Sequence, residues 1–450
     1  MTNNILRCVS FCISICAPII TNAQPRSWTL DECIAHAYKH NIEIKVQELV
    51  TEEKRISLSE AKWSYAPDIS ASNSYSLSTG RVLDPTTYEF VEQQTVGGNS
   101  SSVGANIMVF GGMKNHYRLK RAQLDLRASL LGVESTCRDV RLHVTAAYLE
   151  VLCAEETIRD AEQVVAELKA QDEKTAKKVE VHKVTMADLL QIRAQLADAE
   201  NDLLTARRTY DVARLDLCQL LELDDWASFR AVAPDDGELC SSNLTDDPSA
   251  LLDAAGALPE VEAARVDIDM ARRDLQIARA AYWPTISVSA GYGSSYSDAR
   301  QRSFQNPDGT FRYETYPFFA QYRDNASSYV SVSLNIPIFG KLTTRKNVQR
   351  HKLAVRQAEY ALQSIKKQVA KDVTQAILDA RTAWECYLGS QCYVNAAEEA
   401  LRQVGRKYDL GVATVTDYNA AVSAAVKARS QLLQAKYEYL LRTQMLVFYL

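Results

Sequence analysis

The chain has 450 residues, 47% of them apolar and 24% charged, with a net charge of −5 from 51 basic and 56 acidic side chains. That balance is ordinary for a folded chain. It gives no basic footprint for nucleic acid, so no nucleic-acid partner is expected.

Residues 1–23 have the order of a secretory signal peptide. Arg7 is a thin basic n-region, Val9 to Ile20 is a mostly apolar run too short to span a bilayer, and Thr21-Asn22-Ala23 ends in a small residue before Gln24. Neither Cys12 nor Cys16 follows the small residue that lipid attachment requires. The seven cysteines beyond the signal include no C-x-x-C, and their odd number rules out a fully paired disulfide framework. Cys33, Cys137, Cys153, Cys218, Cys386 and Cys392 fall in helical stretches, where a lone cysteine is usually a small buried hydrophobe. After the signal no segment has 18 apolar residues in a row, so any membrane crossing must be made without helices.

An opening helix over Trp28 to Lys45 leads to a segment of strict alternation. Ile69, Ala71, Asn73, Tyr75 and Leu77 take one side, and Ser70, Ser72, Ser74, Ser76 and Ser78 the other. A long loop, Thr79 to Ser101, carries the turn former Asp84-Pro85. A return strand then places Val103, Ala105, Ile107 and Val109 on one face. Met113 to Ala233 holds one glycine, Gly132, and no proline, and helix formers dominate it. One unbroken helix of that length is out of proportion, so a hairpin of two is expected. Thr185 and Asp188 have the spacing of a capping box at its turn, and His182 stands where a glycine would ease the reversal.

The same order then repeats. YWPTIS (Tyr282 to Ser287) answers YAPDIS (Tyr65 to Ser70), and LNIPIFGK (Leu334 to Lys341) answers ANIMVFGG (Ala105 to Gly112). Ile286, Val288, Ala290 and Tyr292 alternate with Ser287, Ser289, Gly291 and Gly293. Val330, Val332, Leu334, Ile336 and Ile338 form the returning face, after a loop over Asp298 to Ser327 with Asn306-Pro307-Asp308-Gly309 at its tip. A second proline-free stretch follows Pro337 and breaks at Asp409-Leu410-Gly411, with Thr414 and Asp417 repeating the capping spacing. Arms of roughly 50 to 65 residues would reach on the order of 75 to 100 Å. The chain is therefore two copies of one unit: helix, strand, loop, strand, helix pair.

Segments with one apolar and one small polar face mark outer-membrane strands. An exposed antiparallel sheet of a soluble domain gives the same alternation. In lipid, four strands cannot close a barrel, and open edges would leave backbone groups unsatisfied. Two subunits would give eight strands filled by side chains, and three would give twelve around a lumen. A serine-faced interior favours three.

The chain resembles the TolC family of outer-membrane efflux proteins. The residues that carry the resemblance are WTLDECIAHAYKHNIEIK (Trp28 to Lys45), its counterpart from Leu258 to Gly293, NIPIFG (Asn335 to Gly340) and the turn YDLGVATVTDYNAA (Tyr408 to Ala421). The implied fold is a mixed α+β membrane protein, internally duplicated, with a shared β-barrel of four strands per subunit above a long α-helical periplasmic barrel. The implied organisation is a signal peptide (1–23), a first repeat (24–222), a mixed equatorial segment (223–257) and a second repeat (258–450). The resemblance implies a homotrimer in outer-membrane lipid, reaching into the periplasm. It would be a passive exit duct for efflux or type I secretion, opened by a periplasmic adaptor and an inner-membrane pump.

By position, Tyr408 and Asp188 match gate contacts, and Asp417 matches an acidic ring at the pore constriction. Gly411, Thr414, His182 and Thr185 fall at the tips that would meet the adaptor. Ala420 and Ala413 replace a second acidic residue and a basic latch, which implies a weaker gate. Read from spacing alone, Asp188 and Asp417 are helix caps.

No catalytic pattern is present: there is no Walker loop and no G-x-S-x-G, so no enzyme and no cofactor are expected. His36 and His40, at i and i+4, lack the H-E-x-x-H context of a metal site. A soluble periplasmic coiled-coil scaffold and a periplasmic adaptor are the rival readings.

Overall fold

The fold, from a computed structural model, is described for residues 27–83, 90–233 and 256–448. The signal segment, Asp84-Pro85 and most of the equatorial segment lie outside the described residues. In chain order the elements are β1 (Ser27–Trp28), α1 (Leu30–His40), α2 (Ile42–Trp63), β2 (Asp68–Leu83), β3 (Phe90–Gly111), α3 (Lys114–Glu180), α4 (Met186–Leu220) and β4 (Arg230–Ala231). There follow α5 (Pro259–Ala280), β5 (Thr285–Ser297), β6 (Gln301–Gln305), β7 (Phe311–Thr315), α6 (Phe318–Asp324), β8 (Ser327–Asn335), α7 (Thr343–Asp409) and α8 (Val415–Phe448). These residues group into two compact units, one of 27–41, 140–233 and 379–445, the other of 42–83, 90–139, 256–378 and 446–448.

The second unit holds a four-stranded antiparallel sheet in the order β2-β3-β5-β8. Pairing keeps the alternation in phase from strand to strand. Ile69 lies opposite Ala105, Ala105 opposite Ala290, and Ala290 opposite Val330. Ser72 lies opposite Ser102, Ser102 opposite Gly293, and Gly293 opposite Ser327. A slip of one residue would exchange the faces, so the register itself separates them. Both apolar and serine faces are open to solvent in one protomer, and the outer edges of β2 and β8 pair with no strand among the described residues.

Several expectations need correction. The Thr79 to Ser101 loop is largely strand: β2 runs on to Leu83 and β3 begins at Phe90, with the Thr79 and Thr95 hydroxyls 3.0 Å apart. Polar cross-strand pairs extend a hairpin as well as apolar ones do. The Asp298 to Ser327 segment is not a plain loop either, since it contains the β6–β7 hairpin and α6. Asn306-Pro307-Asp308-Gly309 does turn that hairpin, with Gly309 at φ +82°. Val109 falls at a bulge between Met108 and Phe110, so Phe110 rather than Val109 pairs with Ile286. Ile336 and Ile338 lie beyond β8, which ends at Asn335.

The strands hand over to the long helices through one turn used twice. Gly112 and Met113 have φ of +63° and +66°, and Lys341 and Leu342, at the same place in the second copy, have +50° and +61°. At Gly112 a Cβ would lie 2.7 Å from the Ala280 carbonyl oxygen and from the Trp283 Cβ, so only glycine fits there. Helix packing in this unit centres on Leu258, Val261 and Val373. Arg121 reaches Asp274 at 2.8 Å, and Arg138 donates to the Phe448 carbonyl at 3.0 Å.

In the first unit, the Thr29–Glu32 capping box starts α1. The short β1 pairs parallel with β4, and the buried Tyr148 hydroxyl lies 2.6 Å from the Val232 carbonyl and 2.9 Å from the Trp28 carbonyl, within donating distance of either, tying the pair to α3. Ile192, Ala199, Ala206 and Ala213 are buried at a seven-residue step along α4, the seam of a coiled coil. Val164, Val165 and Leu168 of α3 pack there against Ala199, joined by Val422 and Val426 of α8.

The helix arms are unequal: α3 and α7 have 67 residues each, while α4 and α8 have 35 and 34. In the first copy α4 ends at a turn with Glu222 at φ +55°. All six described cysteines are helical, but only Cys33 and Cys218 are buried, and Cys386 and Cys392 are exposed. Burial pushes the Cys33 thiol up to about 12 and the Cys218 thiol up to about 11, which keeps both protonated.

Candidate gate at the helix turns

Both hairpins end in the same backbone structure. After α3, the Lys183 amide donates to the Lys178 carbonyl (2.9 Å) and the His182 amide to Val179 (2.9 Å). After α7, the Val412 amide donates to Lys407 (2.8 Å) and the Gly411 amide to Tyr408 (3.0 Å). These are two Schellman motifs. His182 sits at φ +54° and Gly411 at +75°, so the reversal forms with a histidine where the second copy has glycine.

The returning helices start with the expected capping boxes. The Asp188 amide donates to Thr185 Oγ1 (3.2 Å), and the Thr185 amide donates back to the Asp188 carboxylate (3.0 Å). Asp417 and Thr414 repeat this at 3.1 Å in both directions. The Thr414 hydroxyl and amide hold the exposed Asp417 carboxyl below its ordinary pKa.

Tyr408 is buried, 5% exposed, among Ile192 of α4, Val415 of α8 and Ala413. Its ring stacks on Tyr418, centroids 5.2 Å apart. The Lys178 ammonium lies 5.0 Å from the Tyr408 ring centre and 3.1 Å from Asp409 Oδ1, joining the α3–α4 hairpin to the α7–α8 hairpin. The Tyr408 hydroxyl is buried and has no hydrogen-bond partner among the described residues, so it is not bonded to Asp188 within one protomer.

All the sequence-derived positions thus gather at the two turns, with Tyr408 inward, and Asp417, His182, Gly411, Thr185 and Thr414 exposed. Sequence reading placed Asp409 in the turn and missed Lys178 and the ion pair between the two. No spacing rule links residues so far apart in the chain. Tyr418 was legible only as one position of the turn motif Tyr408 to Ala421. His36 and His40 stack face to face at 4.3 Å, so their ring nitrogens do not converge on one point. No cluster able to hold a metal occurs among the described residues.

A family model described as outer membrane efflux protein matches the chain twice, over residues 34–222 and again over 252–450. The chain belongs to the outer membrane efflux protein family. The double match places one family unit on each copy of the internal repeat. This efflux protein has the fold of solved channels. CusC has a TM-score of 0.77 at 16% identity, covering 96% of this chain and 95% of CusC. VceC of Vibrio cholerae has a TM-score of 0.75 at 15% identity, covering 93% and 95%. The CmeC outer membrane channel of Campylobacter jejuni has 0.75 at 16%, covering 93% and 85%. No curated protein matches the sequence. The family consists of channels, so this efflux protein is an outer-membrane channel with a β-barrel and long helices, and not an enzyme. Among the described residues no helix is long and apolar enough to cross a membrane.

Proposed function

We propose that the chain is the exit duct of a tripartite efflux or type I secretion system. Three copies would join their four-stranded sheets edge to edge into a barrel of twelve strands in the outer membrane. Their long helices would form a tunnel into the periplasm. The sheet carries this reading, with two edges unpaired among the described residues, one apolar face and one serine face. Free edges in lipid cost several kcal/mol per unsatisfied group, so the subunit needs copies of itself. Eight strands would leave an interior filled by side chains, whereas twelve leave a lumen that the serine face can line.

The duct is passive, and the free energy of transport comes from an inner-membrane pump reached through a periplasmic adaptor. The adaptor would engage the turns at His182, Thr185, Gly411 and Thr414. Tyr408 and Asp188 would hold the tips closed. The buried Tyr408 hydroxyl, unsatisfied in one protomer, is the group available for such a contact. Asp417 from three copies would ring the constriction and favour cations. Ala413 and Ala420 give that gate fewer charged contacts.

The test is the mass and conductance of detergent-extracted protein. A trimer that opens single channels in a planar bilayer supports the duct. A dimer, or a chain recovered whole as a soluble periplasmic monomer, overturns it.

A further inference from the structure

The apolar face of the sheet does not stay apolar to its end. Beyond the rows Ile69–Ala105–Ala290 and Ala71–Val103–Tyr292, the same face carries Asn73–Ser101–Ser294 and then Tyr75–Asn99–Tyr296. Amides and hydroxyls facing hydrocarbon are costly unless bonded. Here they bond one another: Asn73 Nδ2 donates to Ser101 Oγ at 2.6 Å, and Asn99 Nδ2 to Asn73 Oδ1 at 3.0 Å. The Tyr322 hydroxyl of α6 reaches across them to Ser101 Oγ, 3.0 Å away, and to Asn99 Oδ1.

The position of α6 has a physical cause. β8 begins at Ser327, opposite Gly293, so Ser294 to Ser297 of β5 have no strand on that side. Side chains from α6 and the residue after it fill the gap. The fully buried Gln321 accepts from the Ser297 amide (3.1 Å) and donates to the Ser297 carbonyl (2.9 Å), as a strand partner would. Asn325 donates to the Ser295 carbonyl at 2.7 Å. The helix thereby caps an open strand edge.

Its other side is aromatic. Phe318 packs on Tyr322 (4.6 Å) and on Tyr296 (4.9 Å), and Phe319, 84% exposed, meets the edge of Phe318 at 5.4 Å. At the opposite end of the strands Trp63, Tyr65, Tyr282 and Trp283 also stand exposed. Thr285, where β5 begins two residues after Trp283, to Tyr296 is about 36 Å of strand at ~3.3 Å per residue. At a tilt of ~40° that is about 28 Å along the membrane normal, enough to span the apolar band of an outer-membrane barrel, about 25 Å, with an aromatic girdle at each interface.

We propose that α6 is a lipid-interface anchor, which seals the polar end of the lipid-facing sheet and seats Phe318 and Phe319 at the headgroup–acyl boundary of the outer leaflet. The occupant is lipid because α6 bonds over the polar rows and carries its aromatic side chains on the same face of the sheet as the apolar rows. The inference rests on the assignment of that face to lipid, made under the proposed function.

The experiment compares Phe319→Trp, Val332→Trp and the parent protein in proteoliposomes of phosphatidylcholine brominated either near the headgroup or near the bilayer midplane. Trp at 319 exchanges one exposed ring for another, so assembly is kept. The emission added at 319 should be quenched more by shallow bromine, and that at 332 more by deep bromine, with aqueous iodide ineffective at both. Quenching of position 319 by iodide would put α6 in water or in the lumen. Insensitivity to both quenchers would put it against a neighbouring protomer. Either result, with Val332→Trp still quenched by bromine, overturns the anchor while leaving the barrel standing. If Val332→Trp escapes bromine, the face assignment itself fails.

Discussion

His182 and Gly411 occupy the same position in two copies of one turn, at φ +54° and +75°. The first is an exposed L-residue held in a left-handed conformation. The second is glycine, where an added Cβ would meet nothing within 4 Å. The difference between them is therefore one of backbone preference, not of packing.

His182→Gly should stabilise the first turn by about 1 kcal/mol, and Gly411→Ala should destabilise the second by about as much. Thermal unfolding of the detergent-solubilised protein measures both. Equal melting temperatures for all three proteins would mean that the turns stay folded when the rest unfolds.

The gate should respond to Tyr408. Its hydroxyl has no partner among the described residues. Tyr408→Phe combined with Asp188→Ala should raise single-channel conductance. Tyr408→Phe alone should leave thermal stability nearly unchanged, since it removes an unpaired buried polar group. A fall in stability with unchanged conductance would show that Tyr408 serves only the packing around Ile192 and Val415.

Lys178 and Asp409 join the two hairpins through a partly exposed ion pair, worth about 1 kcal/mol at most. Lys178→Met should loosen the tips and raise open probability modestly at low salt. High salt should erase the difference from the parent. A difference that persists in high salt would assign the effect to packing of the Lys178 stem on Tyr408.

Asp417 carries a pH prediction with two opposed terms. Within one protomer, the Thr414 bonds lower its pKa. A depressed folded pKa contributes stability that is present above the unfolded value and lost as pH falls through the folded one. The cap should therefore weaken only in acid below about pH 4. Three carboxylates on one axis would repel and push the pKa the other way. Asp417→Ala should reduce cation preference without abolishing assembly. In the parent, loss of preference with a midpoint above about pH 4 marks the ring. A preference unchanged by Asp417→Ala, with a lower melting temperature, marks a cap alone.

The strand faces can be tested directly. Val288 lies opposite Ile107 and Val332, and Ser287 lies opposite Met108 and Ser333. Val288→Arg or Leu334→Arg should impair assembly by about 2–4 kcal/mol near mid-bilayer. Ser287→Arg or Ser333→Arg should be milder, read as trimer yield after extraction. Equal damage from both sets would mean that the faces are misassigned, and greater damage from the serine set that they are reversed.

The helix hairpins, the alternating strands and the two capping boxes were legible in the chain, because each depends on residues close in sequence, and the duplication was legible because the same motifs recur in the same order. Periodicity identifies a helix or a strand within a few turns, and Thr-x-x-Asp caps a helix wherever it lies. The tight turn at His182 was not legible. Intrinsic preference disfavours left-handed histidine, and the Schellman bonds to Val179 and Lys178 overcome it. The bulge at Val109 and the extension of β2 and β3 were decided by pairing with β5 and with each other, which no single strand specifies. Lys178 on Asp409, Tyr148 under Trp28 and Val232, and Gln321 in the place of a missing strand join residues far apart in the chain. Such contacts come from how the elements pack. Local pattern sets which elements form and which face each must bury, and the tertiary structure alone decides which distant side chains complete the edges, turns and gate.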